Sequence, residues 1–346
     1  MGDLKAAIIG CGHRAKGHAA GFADAEGVSC AACADIDRER ADAFGEELGL
    51  RPYYEAMEML EVESPDIVAI VTREGTRARL TRMCAEKRIP GVIAEKPMAR
   101  TLDEARDMVR VCDENGTVLT VCQQMTFSRE YELLKACIDA GEIGEVRFLR
   151  ACSYGQLMEQ GPHMVDMLLW LRQGHGVTRV MGQAAGTAGA NETVHPAPLF
   201  SCGYLVFDDD VRCVLETGRS FQPYPEMDST WMQKRVMVIG TEGAAEAVVG
   251  HYFRKMTPAL PGWDLIETGV ESWNSATARF IEELVEVLSQ GGEHRNGAER
   301  SLAGFEVIQA IFQSVMERDA VEPPLPAGAT PLEDLLDAFG VEPQVQ

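Results

Sequence analysis

The run Gly10-Cys11-Gly12-His13-Arg14-Ala15 limits what this chain can fold into more than any other feature. It follows the apolar stretch Ala6-Ala7-Ile8-Ile9 and precedes a segment that reads as a helix. A buried strand that ends in a glycine turn and opens a helix brings backbone N–H groups and a helix N-terminus up to a pyrophosphate. Gly10 allows the tight turn, Gly12 leaves room for phosphates, and Ala15 is small enough for the helix to pack on the strand. A second apolar stretch, 28–34, ends at Asp35, 20 residues beyond Ala15. An acid there accepts hydrogen bonds from the adenosine ribose hydroxyls. Asp35 and Asp37 would repel a 2′-phosphate, with Arg38 as the only close counterweight, so NAD is expected over NADP.

At 346 residues the chain is too long for one core and suits two domains. Its 46% apolar and 25% charged composition is that of a soluble globular protein. No apolar run approaches the roughly 20 residues of a membrane span, and the N-terminus has no signal-peptide layout, so a cytoplasmic location is expected. A formal net charge of −22 argues against nucleic acid and anionic membrane as partners. Ten cysteines without an export signal are expected as free thiols. Cys30 and Cys33 form a C-x-x-C inside the second strand, where positions three apart point to opposite faces, so no metal site is expected.

The first part alternates strands and helices. Apolar runs at 67–71, 92–94 and 118–122 are separated by helical patterns at 38–48, 77–86 and 102–114. Thr101 and Glu104 form a capping box for the last helix, and Asn115-Gly116 stops it. This predicts a Rossmann-type, doubly wound parallel sheet over 1–122. Residues 123–346 read as an α+β domain around an open, mainly antiparallel sheet. Helices are expected at 130–140 and 164–171, the latter started by Pro162. Strands are expected at 146–152, 178–183, 200–207, 211–216, 236–239 and 245–249, with turns at Asp208-Asp209-Asp210 and Thr241-Glu242-Gly243. Helices at 276–288 and 302–316 follow, and Pro323-Pro324-Leu325-Pro326 opens an irregular tail. One sheet face needs a cover, and a second copy of the chain is the simplest one, giving a homodimer or homotetramer.

Two groups of residues suggest chemistry. Glu95-Lys96-Pro97 directly follows the apolar run 92–94, and ligands of open α/β sheets bind beyond the carboxyl ends of strands. Lys96 there can hydrogen-bond a substrate hydroxyl and stabilise it as it loses its proton; a surface lysine at a strand end has the same sequence position. In Tyr154-Gly155-Gln156-Leu157-Met158-Glu159-Gln160-Gly161-Pro162-His163-Met164-Val165-Asp166, the helical spacings of Glu159, His163 and Asp166 put carboxylate, imidazole and carboxylate on one side. That arrangement suits a general base, and equally a half-buried helix histidine.

With these motifs the chain resembles the glucose–fructose oxidoreductase / inositol dehydrogenase / MocA-like (Gfo/Idh/MocA) oxidoreductases over almost its whole length. The markers are Gly10-x-Gly12-x-x-Ala15-x-x-His18, Ala34-Asp35, Glu95-Lys96-Pro97, Gly141-x-Ile143-Gly144-x-Val146 and Gly161-x-His163-x-x-Asp166. Gly240-Thr241-Glu242-Gly243 and Asn296-Gly297 complete the set. The resemblance implies that Lys96 and His163 are catalytic, with Glu159 beside them. It implies cofactor contacts from Gly10, Gly12, His13, Arg14, Asp35, Ile36, Thr72, Arg73, Glu95, Lys96 and Gln124. Lys96, Tyr154, Glu159, His163 and Asp166 would meet a small polyhydroxylated substrate.

Three departures stand out. Glu159 replaces the common Asp four residues before the histidine. Thr72-Arg73-Glu74-Gly75-Thr76-Arg77 replaces Thr-Pro-Asn-x-x-His. An Arg is absent from Gln123-Gln124-Met125-Thr126. The activity implied is NAD-dependent hydride transfer at a carbinol or keto carbon of a sugar, cyclitol or derivative. The rivals are a glycoside-cleaving enzyme that oxidises its substrate transiently and a silent NAD-binding regulator.

Overall fold

The computed structural model describes residues 3–186, 195–218, 233–269 and 273–341. The chain divides into two compact units, 1–127 with 272–302, and 128–271 with 303–346.

The first unit is the expected parallel sheet. Its strands are β1 (Leu4–Ile9), β2 (Val28–Ala34), β3 (Arg51–Tyr53), β4 (Ile67–Ile70), β5 (Gly91–Ala94) and β6 (Val118–Val121), in the order β3-β2-β1-β4-β5-β6. All five strand pairings are parallel. The order reverses beside β1, and this switch point is where open α/β sheets bind ligands. The crossovers are α1 (His13–Asp24), α2 (Arg38–Leu48), α3 (Ala56–Glu63), α4 (Glu74–Glu86) and α5 (Leu102–Asn115). Both halves of the Thr101–Glu104 capping box form, and Gly116 ends α5 in the left-handed region. α4 starts three residues before the expected position.

A bulge shifts the register of β2 against β1, so Ala6 pairs with Cys30 and Ala7 with Ala32. The extra residue, Ala31, cancels the alternation. Cys30 and Cys33 pack against the same apolar cluster rather than facing opposite ways. All ten cysteines are free.

A single division at residue 122 omits a return segment. The helix α8 (Trp273–Gln290) lies on α1, where a Cβ on Gly21 would meet Thr277 Cγ2 at 2.6 Å. Phe280, Ile281 and Leu284 of α8 join the same buried cluster as Ala6, Ala19 and Phe22. Beyond α8, the Asn296 carbonyl accepts the Val121 N–H at 3.2 Å, and Gly297 bridges Thr120. The Asn296-Gly297 marker thus covers the edge strand β6.

In the second unit, α6 (Arg129–Asp139) leads to β7 (Val146–Tyr154) and α7 (Leu157–Leu171). β8 (Val177–Ala185), β9 (Phe200–Phe207), β10 (Arg212–Gly218), β11 (Lys234–Gly240), β12 (Ala244–Val248), β13 (Tyr252–Thr257) and β14 (Leu260–Glu267) follow. The eight strands are ordered β14-β13-β12-β11-β7-β10-β9-β8. The β7–β10 pair is parallel and the other pairs are antiparallel, as an open, mainly antiparallel sheet requires. Two of the sequence markers turn out to be one contact. The Thr241 N–H donates to the Glu145 carbonyl at 2.9 Å, and the Glu242 N–H to that of Ile143 at 3.0 Å.

α7 is longer than its apolar pattern suggested. It begins at Leu157, so Pro162 lies inside the helix instead of starting it. α9 (Ala298–Glu317) follows α8, and its residues from 303 belong to this unit. The tail beyond the prolines is also more regular than expected: α10 (Pro331–Ala338) buries Leu332, Leu335 and Leu336.

Across the sheet, Met181, Tyr204, Val214, Arg150, Met237, Glu246, Arg254 and Leu265 form one register row and share one face. Met181, Tyr204 and Leu265 are exposed there, as are Ile239 and Trp263 two positions along their strands. Glu246 is wholly buried on the same face between Arg235 and Arg254.

Candidate active site

The loop after β1 has the geometry a pyrophosphate needs. Gly10 has φ +96°, and a Cβ there would meet the Val71 carbonyl oxygen at 2.6 Å. Gly12 is the N-cap of α1 and has no side chain to satisfy the first helical N–H groups. The space a Cβ on Gly12 would fill is open. Unsatisfied amides at an open helix start fit a pyrophosphate. His13 is exposed at the same helix start.

Asp35 stands at the end of β2 with its carboxyl 7% exposed. One oxygen accepts the Cys11 N–H at 2.9 Å and the other the Asp37 N–H at 3.0 Å. This ties the acid to the glycine loop and leaves it lone pairs for a ribose. The counterweight is not Arg38, whose guanidinium lies 4.3 Å over the Tyr54 ring. It is Arg40, which reaches Asp35 at 3.5 Å and Asp37 at 3.1 Å. The signal was readable: Asp37 caps α2 by accepting the Arg40 N–H, which places Arg40 at the same end. Ile36, 89% exposed, offers an apolar surface beside the acid.

Asp35→Ser should therefore weaken NAD binding roughly tenfold or more, the loss expected for a hydrogen bond to a charged group. It should also narrow the preference over NADP, because Arg40 is released toward a 2′-phosphate. Fluorescence titration with both cofactors checks this, and an unchanged ratio of affinities would remove Asp35 from the ribose site.

Glu95 closes β5 and is buried with both oxygens engaged. Oε1 accepts from Arg14 Nε at 2.6 Å and from His18 Nε2 at 2.8 Å, while Oε2 accepts the Lys96 N–H at 3.0 Å. The carboxyl is held well below its ordinary pKa: burial opposes ionisation, but Arg14 and His18 outweigh it. Burial likewise works against charge on His18, yet the Cys122 sulfur and Glu95 push its pKa up to about 9. Glu95 is therefore an internal anchor for the residue that follows it.

Lys96 is half-buried immediately beyond. Gln124 is buried in the 3-10 turn Gln124–Phe127. Its amide, turned to satisfy both ends, accepts from Arg14 Nη2 at 3.1 Å and donates to the Cys122 carbonyl at 3.3 Å. His18 and Cys122 had no assigned role in the sequence. The i, i+4 spacing of Arg14 and His18 on one helix was the available signal for the first. His18, Glu95 and Cys122 have metal-ligand proximity, but Arg14 already meets the shared carboxylate.

Thr72 and Arg73 stand at the end of β4, with Arg73 exposed as the N-cap of α4. Arg77, which stands where the resembled motif carries His, is turned inward and 3% exposed.

In the second unit, Tyr154 ends β7 and is half-buried. Gln156, the N-cap of α7, is buried and donates from Nε2 to the Ala197 carbonyl at 2.6 Å. Glu159 sits in the first turn of α7, where a carboxylate complements the helix N-terminus. His163 and Asp166 are buried on the following turns. The helix holds Glu159, His163 and Asp166 at i, i+4 and i+7, on one side, as their spacing required.

The glycine turn after β1, the acid beyond β2 and the parallel order β3-β2-β1-β4-β5-β6 give the first unit a Rossmann fold. Residues 4–123 match the GFO_IDH_MocA model, described as an oxidoreductase family with an NAD-binding Rossmann fold.

A D-apiose dehydrogenase of Rhizobium rhizogenes is 24% identical, covering 93% of this chain and 98% of its own. An inositol 2-dehydrogenase of Mycolicibacterium smegmatis is 32% identical over 42% of this chain and 43% of its own. A crystal structure of an oxidoreductase from Agrobacterium radiobacter in complex with NAD+, L-tartaric acid and magnesium superposes with a TM-score of 0.82. It is 20% identical and covers 92% of this chain and 98% of its own. Among the described residues, no helix is long and apolar enough to cross a membrane.

Proposed function

We propose that the chain is an NAD-dependent dehydrogenase or reductase acting on a carbinol or keto carbon of a sugar, cyclitol or derivative. The observation that carries this reading is Lys96, anchored through Glu95 at the carboxyl end of β5, one strand from the switch point and its open glycine loop. The relatives named D-apiose and inositol 2-dehydrogenases favour a polyhydroxylated substrate.

In the oxidising direction, a bound NAD, which the Gly10–Gly12 turn and Asp35 would hold, would supply the hydride acceptor for the carbinol carbon. His163 takes the hydroxyl proton as general base and releases it to solvent. The Lys96 ammonium donates to a substrate oxygen and stabilises its developing negative charge. Glu159, one turn before His163, orients the imidazole or grips a neighbouring hydroxyl. Tyr154 supplies a further hydroxyl contact. Asp166 is wholly buried, so its role is to support His163 from the next turn.

A panel of sugars and cyclitols, followed by nicotinamide absorbance in both directions, tests the reading. Accumulating NADH or consumed NADH supports it. Glycoside cleavage without net NADH replaces it with transient oxidation. Tight NAD binding with no turnover on any member replaces it with a silent regulator.

A second copy of this chain is proposed to cover the exposed row of Met181, Tyr204, Ile239, Trp263 and Leu265. Light scattering should return a dimer or tetramer mass. Tyr204→Glu should shift it toward the monomer, and a wild-type monomer at all concentrations would remove the interface.

A further inference from the structure

We propose that Arg77 is the positioning residue for Lys96: its guanidinium bridges the Thr72 carbonyl after β4 and the Pro97 carbonyl after β5, fixing the lysine relative to the glycine turn. The inference rests on the role given to Lys96 above.

Arg77 is the fourth residue of α4 and points into the unit. Its Nε and Nη2 donate to the Thr72 carbonyl at 3.0 and 2.5 Å, and its Nη1 donates to the Pro97 carbonyl. A planar guanidinium has five donors in a fixed fork, so it can hold two carbonyls on separate loops at a set distance. An ammonium has no such fork. The imidazole that the resembled motif carries at this position has two donors at most, on a shorter stem.

What Arg77 grips is itself fixed. A Cβ on Gly10 would meet Thr72 Cγ2 at 3.0 Å and the Val71 carbonyl at 2.6 Å, so Thr72 backs directly onto the glycine turn. On the other side, Pro97 follows Lys96, whose own N–H is held by Glu95. Lys96 is thus gripped on both flanks, by Glu95 behind and by the Arg77–Pro97 contact ahead.

The arrangement is expensive. Burial pushes the Arg77 pKa below the ordinary arginine value, with Glu95 and Glu74 acting in the opposite direction. Its hydrogen bonds go to carbonyls, which satisfy the donors without neutralising the charge. An apolar side chain of similar length would fill the space without desolvating a cation. A fork that sets the distance between two loops accounts for the guanidinium.

The test uses the full chain with Arg77→Met, Arg77→His and Arg77→Lys. Lysines are reductively methylated with 13C, and the Lys96 resonance is assigned by its loss in Lys96→Met. In Arg77→Met the Lys96 resonance should shift, broaden and titrate at a changed pH. NAD dissociation constants, measured without substrate, should rise roughly tenfold, the scale of lost charge-assisted hydrogen bonds. Arg77→Lys should recover part of both effects and Arg77→His less. If Arg77→Met does not fold, Arg77→Lys carries the test, because it keeps stem and charge and loses only the fork.

A lower melting temperature with the Lys96 resonance, its titration and NAD affinity all unchanged would reduce Arg77 to packing and overturn the proposal. None of these readouts needs a substrate. A failure of the dehydrogenase reading would appear as an inert wild type on the sugar panel, with the Arg77 results standing.

Discussion

Replacing Lys96 by Met should lower turnover by about 2.7–4 kcal/mol of transition-state stabilisation, roughly 100- to 1,000-fold, while NAD still binds near wild-type affinity. Methionine keeps an apolar stem of similar length and removes only the charged head. The anchoring bond survives, because it is the Lys96 backbone N–H that Glu95 holds. What is lost is one charge-assisted donor aimed at an oxygen that gains negative charge during the reaction. Steady-state kinetics on any substrate found in the panel, with NAD affinity measured in parallel, separates the two effects. Near-normal turnover would make Lys96 a surface residue and return the chemistry to His163 alone. Lost NAD affinity with intact turnover at saturation would make it a cofactor ligand instead.

The second large effect is on stability. Glu95→Gln keeps the shape of the side chain but leaves His18 and Arg14 without their counter-charge. The His18–Glu95 pair is buried on both sides, and breaking such a pair costs about 3–5 kcal/mol. The lower figure is expected, because the Arg14 side chain is partly exposed and can turn toward water. A melting temperature lower by roughly 6–12 °C follows for a unit of this size.

The pH dependence gives a sharper reading. The folded pKa of Glu95 is depressed, so its contribution is present above about 4.5 and fades as pH falls through the folded value. The folded pKa of His18 is raised, so its contribution is complete below 6.5 and is lost as pH climbs through about 9. Wild type and variant should differ most between these limits, and the gap should narrow by alkaline pH. Urea unfolding across that range measures it. A pH-independent gap would show that His18 is neutral and that the pair is only a hydrogen bond.

The Rossmann half was legible because its signals are local. Period, glycine turn, capping box and Asp35 each depend on a few adjacent residues, and the parallel sheet follows from their alternation. What escaped depends on residues far apart in the chain. Nothing near 273–290 says that Phe280 and Ile281 belong against Phe22. Nothing near Arg77 says that its donors reach Pro97. The β2 bulge at Ala31 is one residue long, yet it reversed the facing expected for Cys30 and Cys33. The start of α7 was missed because Gly161 and Pro162 look like a boundary, while the turns before them are fixed by packing. At the site, residue types were readable and partners were not. Glu95 was readable as a residue of the site, and its partners Arg14 and His18, 81 and 77 residues away, were not. Arg38 looked like the counterweight to Asp35, and Arg40 fills that role.

The return segment also bears on how the chain is made. A ribosome releases β1 through β6 long before α8 emerges, so the nucleotide-binding unit is born with the α1 side of its core uncovered. Phe22 and Ala19 stay wet, and the β6 edge stays open, until residues 273–297 have left the exit tunnel. Residues through 302 must therefore be synthesised before the first unit is finished. A fragment cut at residue 122 lacks the elements that close it. For this chain, completion of the first unit waits on a segment made after most of the second.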